Sequence, residues 1–188
     1  MPSLADLLGL CKLKVVSLIL LTAVVGMFLS VPAPYFPDPV LVVLASIGIG
    51  MVSASAAVFN HIVDEQIDKQ MSRTNKRPLP QGKVSRNQAL VWGVFLGVVG
   101  LGVLQFFVNT LTMVLTFVSL IGYAVIYTMY LKRATPQNIV IGGAAGAAPP
   151  ILGWTSIAGT QNIEYALLLF LIVMAVLISI WAMLCNGF

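Results

Sequence analysis

Three side chains able to bind a cation recur on one helical pitch: Asn60, Asp64 and Asp68, at i, i+4 and i+8. On a continuous helix they fall within an arc of about 80°. The Cα atoms of the two aspartates then stand roughly 6 Å apart, so their oxygens can share Mg2+ ions without crowding one site. Mg2+ prefers carboxylates, waters and substrate phosphates to a complete protein cage. The Asn60 amide adds a neutral ligand or holds a metal-bound water. Downstream, Arg73, Lys76 and Arg77 supply cations for the remaining phosphate oxygens, the arginines through paired hydrogen bonds and the lysine as a point charge. These types and spacings describe a site for a diphosphate and its Mg2+.

The elements that must position this site are apolar helices. Of 188 residues, 59% are hydrophobic and 9% charged, with a mean hydropathy of +1.00. A soluble globule needs far more polar surface than that. The chain is expected to be an all-α integral membrane protein lying in the lipid bilayer, with no nucleic-acid partner. Apolar stretches near the ~20 residues that cross the hydrocarbon occur at about 14–32, 40–62, 88–108, 111–131, 138–158 and 165–185, predicting six transmembrane helices. The first follows Lys12 and Lys14 and imitates a signal peptide, but it carries no small-residue cleavage pattern and reads as a retained helix. Cys11 and Cys185 have neither metal-site spacing nor the density of a disulfide framework.

Basic residues set the expected orientation, because Lys and Arg gather on the cytoplasmic side. Lys12 and Lys14 precede the first stretch, Lys69 through Arg86 lie between the second and third, and Lys132 and Arg133 between the fourth and fifth. The opposite connections hold only Asp38 and Glu164. The amino terminus and the acidic and basic segment 64–87 are thus expected in the cytoplasm. An ordinary cytoplasmic loop would collect the bases in this way. It would not explain Asn60 and Asp64 at the end of a hydrophobic helix, where polar groups are costly and mark function.

Asn60, Asp64 and Asp68, followed by Met71, Arg73-Thr74 and Arg77-Pro78-Leu79, resemble the first aspartate-rich motif of the UbiA superfamily of intramembrane prenyltransferases. A second block, from Tyr127 through Lys132-Arg133, Thr135 and Asn138 to Trp154, resembles the haem-farnesylating branch of that superfamily. The resemblance runs over nearly the whole chain. It implies transfer of a farnesyl group from farnesyl diphosphate to a vinyl group of protohaem IX, giving haem O and diphosphate, with Mg2+ as cofactor. Asn60, Asp64 and Asp68 would hold Mg2+ and diphosphate; Arg73, Arg77, Lys132 and Arg133 would contact phosphate oxygens. Haem A synthase or terminal-oxidase assembly proteins are the partners implied, and a bacterial inner membrane the location. A related enzyme acting on a quinone precursor, an inactive fragment and a noncatalytic haem-binding membrane protein are the alternatives.

The fold implied is the first part of that family's nine-helix bundle. Similar chains continue for about three further helices and carry a second aspartate-bearing loop, whereas this sequence ends at Phe188 without the Pro-His pair that usually follows the tryptophan at 181. Residues 1–188 are accordingly expected to form a single, incomplete prenyltransferase domain. Among other residues, His61 lies about 100° from the Asn60 face and reads as a hydrogen-bonding side chain rather than a haem ligand. Met71, Met113 and Met129 read as packing residues, Trp92, Trp154 and Trp181 as interfacial anchors or aromatic walls, and Lys12 and Lys14 as orientation signals with phosphate contact open to them. Gly142, Gly143 and Gly146 allow close helix approach or backbone room beside a flat ligand, and Pro149-Pro150 should break or kink the fifth helix.

Overall fold

The computed structural model describes residues 2–72, 74–124, 128 and 138–185, excepting the side chains of 138–145 and 180–185. The described residues form helices and connections, without strands. A short α1 (Leu4–Leu10) begins at a capping box in which Ser3 Oγ accepts from the Asp6 amide and the Asp6 carboxylate accepts from the Ser3 amide, each at 3.2 Å. It meets α2 (Leu13–Leu29) at a bend of 56°. Next comes α3 (Pro39–Gln70), whose start is fixed by Asp38 accepting from the Val40 amide at 2.9 Å and by Pro39 in the first turn. A second capping box, Ser85 with Gln88, opens α4 (Arg86–Phe107). The Asn109 side chain accepts from the Thr112 amide at 2.8 Å to cap α5 (Thr110–Ile121), and α6 (Asn138–Ala158) and α7 (Ile163–Cys185) follow.

Helices α2 to α7 fall on the six apolar stretches, and α1 is an addition to them. Among the described residues, α3 and α4 are long and apolar enough to cross a membrane, and the α1–α2 pair makes a third if it is one bent span. The other apolar helices found among these residues, over 110–124 and 163–179, fall below that length, so six spans remain the expectation from the sequence. With 32 residues, α3 extends about 48 Å, well beyond the ~30 Å of hydrocarbon. Its first twenty or so residues suffice to cross, and Asn60, Asp64 and Asp68 lie in the turns beyond them. Pro149 and Pro150 do not break α6, which runs through both; backbone groups that proline frees inside membrane helices are re-satisfied by neighbours and by local adjustment.

Packing divides into two apolar clusters along α3. Near the aspartates, Leu10, Cys11, Val16, Val58, Ile62, Ala89 and Leu96 pack with Leu79 and Val84 from the connection after α3. Toward the other end, Ala23, Met27, Ala45, Ile49, Leu104 and Leu152 join α2, α3, α4 and α6. Polar bonds tie α5 to α6 there: Asn109 Nδ2 donates to the Thr155 carbonyl at 2.8 Å and Thr112 Oγ1 to Thr155 Oγ1 at 3.0 Å. Met113 packs against this second cluster as expected. Met71 does not pack, being 51% exposed, since it sits just past the last turn of α3 where the chain leaves the bundle. Met129 and the Trp181 side chain lie outside the described residues. Trp92 stacks on Phe95, and Trp154 Nε1 donates to the Gln161 carbonyl at 3.1 Å.

Candidate functional site

Because α3 runs unbroken to Gln70, the four-residue spacing places Asn60, Asp64 and Asp68 on one face. That face is turned inward: the three residues are 5%, 5% and 4% exposed. Two carboxylates in such surroundings need compensating charge and donors, and the neighbouring elements bring them. Lys12, at the α1–α2 bend, donates its ammonium to Asn60 Oδ1 across 48 positions of sequence. Its backbone is left-handed, with φ at +49°, a conformation unfavourable for a residue with a Cβ. The bend and this conformation aim the lysine into the polar face. Asn60 Nδ2 in turn donates to Thr128 Oγ1 at 3.4 Å, and Thr128, fully buried, donates to the Tyr123 carbonyl at 2.8 Å.

The connection after α3 folds back onto the same face. Thr74 is buried and donates its hydroxyl to the Asp68 carbonyl at 3.2 Å, satisfying one of the carbonyls that a helix end leaves open. Leu79 and Val84, 3% and 1% exposed, anchor the segment in the core. Between these fixed points Arg77 returns to Asp68, its Nη1 donating to Oδ2 at 2.7 Å. Glu65 belongs to a different set, pairing with Lys69 at 2.7 Å and lying 4.0 Å from Arg86. Arg77→Ala is expected to lower stability by about 1–3 kcal/mol, because a buried carboxylate loses its donor; the larger loss typical of fully buried pairs is discounted because the Arg77 side chain is 33% exposed. The thermal midpoint in detergent checks this, and an unchanged midpoint for Arg77→Ala would sink it.

The structure thus gathers Asn60, Asp64, Asp68 and Arg77. Lys76 is exposed, and Arg73, Lys132 and Arg133 lie outside the described residues. Lys12 and Thr128 join the site through contacts that local spacing does not reveal. His61 is buried at 3% exposure, and neither ring nitrogen has a hydrogen-bond partner among the described residues. The expected hydrogen-bonding role is therefore not realised there. No group of three or more His, Cys, Asp and Glu side chains gathers to hold a metal among the described residues. Two carboxylates and an amide oxygen on one face instead form a partial set of hard oxygen donors, suited to an ion that keeps waters and phosphate oxygens.

Apolar helices packed around one buried polar face define an all-helical integral membrane protein. The chain belongs to the UbiA prenyltransferase family, whose model matches residues 19–186. It is 82% identical over 172 residues to the protoheme IX farnesyltransferase of Ruthia magnifica, covering 92% of this chain and 58% of that protein. With the protein of the same description from Methylococcus capsulatus it shares 57% identity over 166 residues, 88% of this chain and 55% of the relative. The chain thus spans somewhat more than half the length of the curated relatives it matches. Among solved structures, a digeranylgeranylglyceryl phosphate synthase superposes with a TM-score of 0.80 at 22% identity, covering 93% of this chain and 59% of that one. A UbiA homolog from Archaeoglobus fulgidus bound to GPP and Mg2+ gives 0.69 at 17% identity, covering 90% and 60%. At these identities the superpositions establish the fold.

Proposed function

We propose that this chain carries a diphosphate-binding site of a protohaem IX farnesyltransferase, which moves the farnesyl group of farnesyl diphosphate to a vinyl group of haem. The observation that carries the proposal is the buried face of α3, where Asn60, Asp64 and Asp68 stand together beside Lys12 and Arg77. Identity of 82% over 172 residues with a protoheme IX farnesyltransferase supports this substrate class. Breaking the C1–O bond leaves the electron pair on diphosphate and an allylic cation on the lipid chain. The vinyl π electrons attack that cation, and water then completes the hydroxyl-bearing substituent with loss of a proton. The difficult event is charge separation, and Mg2+ when bound supplies charge stabilisation to the leaving group. Asp64, Asp68 and Asn60 would hold that ion.

Arg77 and Lys12 would meet phosphate oxygens as their charge grows, a pre-aimed electrostatic contribution larger in a dry site than in water. Arg73, Lys132 and Arg133 are assigned the same task from the sequence. The apolar helices shelter the fifteen-carbon tail and the porphyrin, while the diphosphate sits at the inner boundary of a bacterial plasma membrane. Membranes containing the protein are to be incubated with radiolabelled farnesyl diphosphate, Mg2+ and either haem or a hydroxybenzoate. Label in a haem product is the expected result. Label in the benzoate product alone rejects the haem assignment, and haem retention without diphosphate release would mark a binding protein.

A further inference from the structure

His61 has no task in the reading above. Buried polar groups are nearly always hydrogen-bonded, yet both of its ring nitrogens lack partners among the described residues. Seven residues separate it from Asp68, which on a helix puts the two within about 20° of one another. Accordingly, His61 Nδ1 lies 3.9 Å from Asp68 Oδ2, the oxygen to which Arg77 donates at 2.7 Å. That separation is beyond hydrogen-bond range. Closing it is what a loaded state would require of the two side chains. A neutral imidazole carries one N–H donor and one acceptor. If Arg77 turns its guanidinium toward a diphosphate, Asp68 Oδ2 remains buried and needs another donor, and His61 is the residue beside it.

We propose that His61 is a positioning residue for Asp68: its Nδ1–H takes the oxygen that Arg77 releases and holds the carboxylate aimed at a divalent cation. The proposal rests on the reading of Asp64 and Asp68 as cation ligands. Such outer partners of ligating groups are worth 10–100-fold in metal affinity in other sites. The second ring nitrogen is left as an acceptor, a suitable partner for a cation-bound water. Both nitrogens without partners are thereby accounted for by one loaded state.

The test is binding of Mn2+ together with inorganic pyrophosphate to the protein in detergent, read from water-proton relaxation. His61→Leu keeps the bulk and removes the donor, and is expected to weaken binding by roughly 10-fold or more. His61→Asn, whose amide N–H reaches the Nδ1 position, is expected to recover most of that loss. His61→Gln, which places its donor nearer the Nε2 position, is not, and this pair decides the matter even if the Leu variant fails to fold. Equal binding by all three variants and the unsubstituted protein, with binding lost in Asp64→Ala, overturns the positioning role and leaves the cation site standing. Unchanged binding in Asp64→Ala overturns both. Equal weakening in the Asn and Gln variants also overturns the role, since it assigns the loss to packing.

Discussion

Asp64→Asn is expected to slow farnesyl transfer by roughly 10²–10³-fold, the loss of about 3–4 kcal/mol of transition-state stabilisation that follows removal of one group facing the developing charge. Asparagine matches aspartate in size and keeps a polar oxygen, so membrane insertion should hardly change. The site loses one negative charge, and with it the grip on a divalent cation. Asp68→Asn should match that loss of rate and lower stability as well, because Asp68 is paired with Arg77. Its midpoint should therefore fall below that of the unsubstituted protein. Label transfer in a protein of the relatives' full length carrying these residues, with carbonate extraction of the membranes, separates the two effects. Normal turnover in both variants would remove the metal role from both aspartates. Loss of insertion in Asp64→Asn would make that residue structural.

The polar face of α3 was legible because an apolar helix makes each polar residue conspicuous, and three of them kept a four-residue period. Register also contained the His61–Asp68 pair. Measured from Asn60, His61 looks misplaced; measured from Asp68, seven residues on, it shares the face. Burial then shows that proximity and bonding differ, since the nitrogens remain without partners among the described residues. Helix α1 was hidden inside what reads as the approach to the first apolar stretch. Only Ser3 and Asp6, three apart ahead of a leucine-rich turn, mark its start. The contact from Lys12 to Asn60 depends on the bend after α1, and a bend at a left-handed lysine has no local signature. Residues 71–85 read as a charged connection, yet Leu79 and Val84 are core residues. Two aliphatic side chains among the charges were the signal, since a loop that must return Arg77 to Asp68 needs anchors on both sides of its turn.

The largest structural effect is expected where α2 meets α6. A Cβ added to Gly153 would stand 1.9 Å from the Ala23 carbonyl oxygen, and one added to Gly26 would stand 2.1 Å from that of Pro150. Real contacts of this kind are essentially never under 3.0 Å, and the obstruction is backbone, which cannot rotate aside as a side chain can. Gly153→Ala or Gly26→Ala must push the helices apart, at a cost of about 1–3 kcal/mol or somewhat more, a large share of a stability of roughly 5–15 kcal/mol. Gly102→Ala is the matched control, since nothing lies within 4 Å of the added methyl and alanine is the better helix former by about 1 kcal/mol. It should leave the midpoint unchanged or raise it. The consequence reaches the polar face through α2, because Lys12 sits at the start of that helix and donates to Asn60. Separating α2 from α6 should therefore weaken Mn2+ binding along with stability, whereas Gly102→Ala should alter neither. Equal thermal midpoints for Gly153→Ala and Gly102→Ala would show that these helices do not meet backbone to backbone.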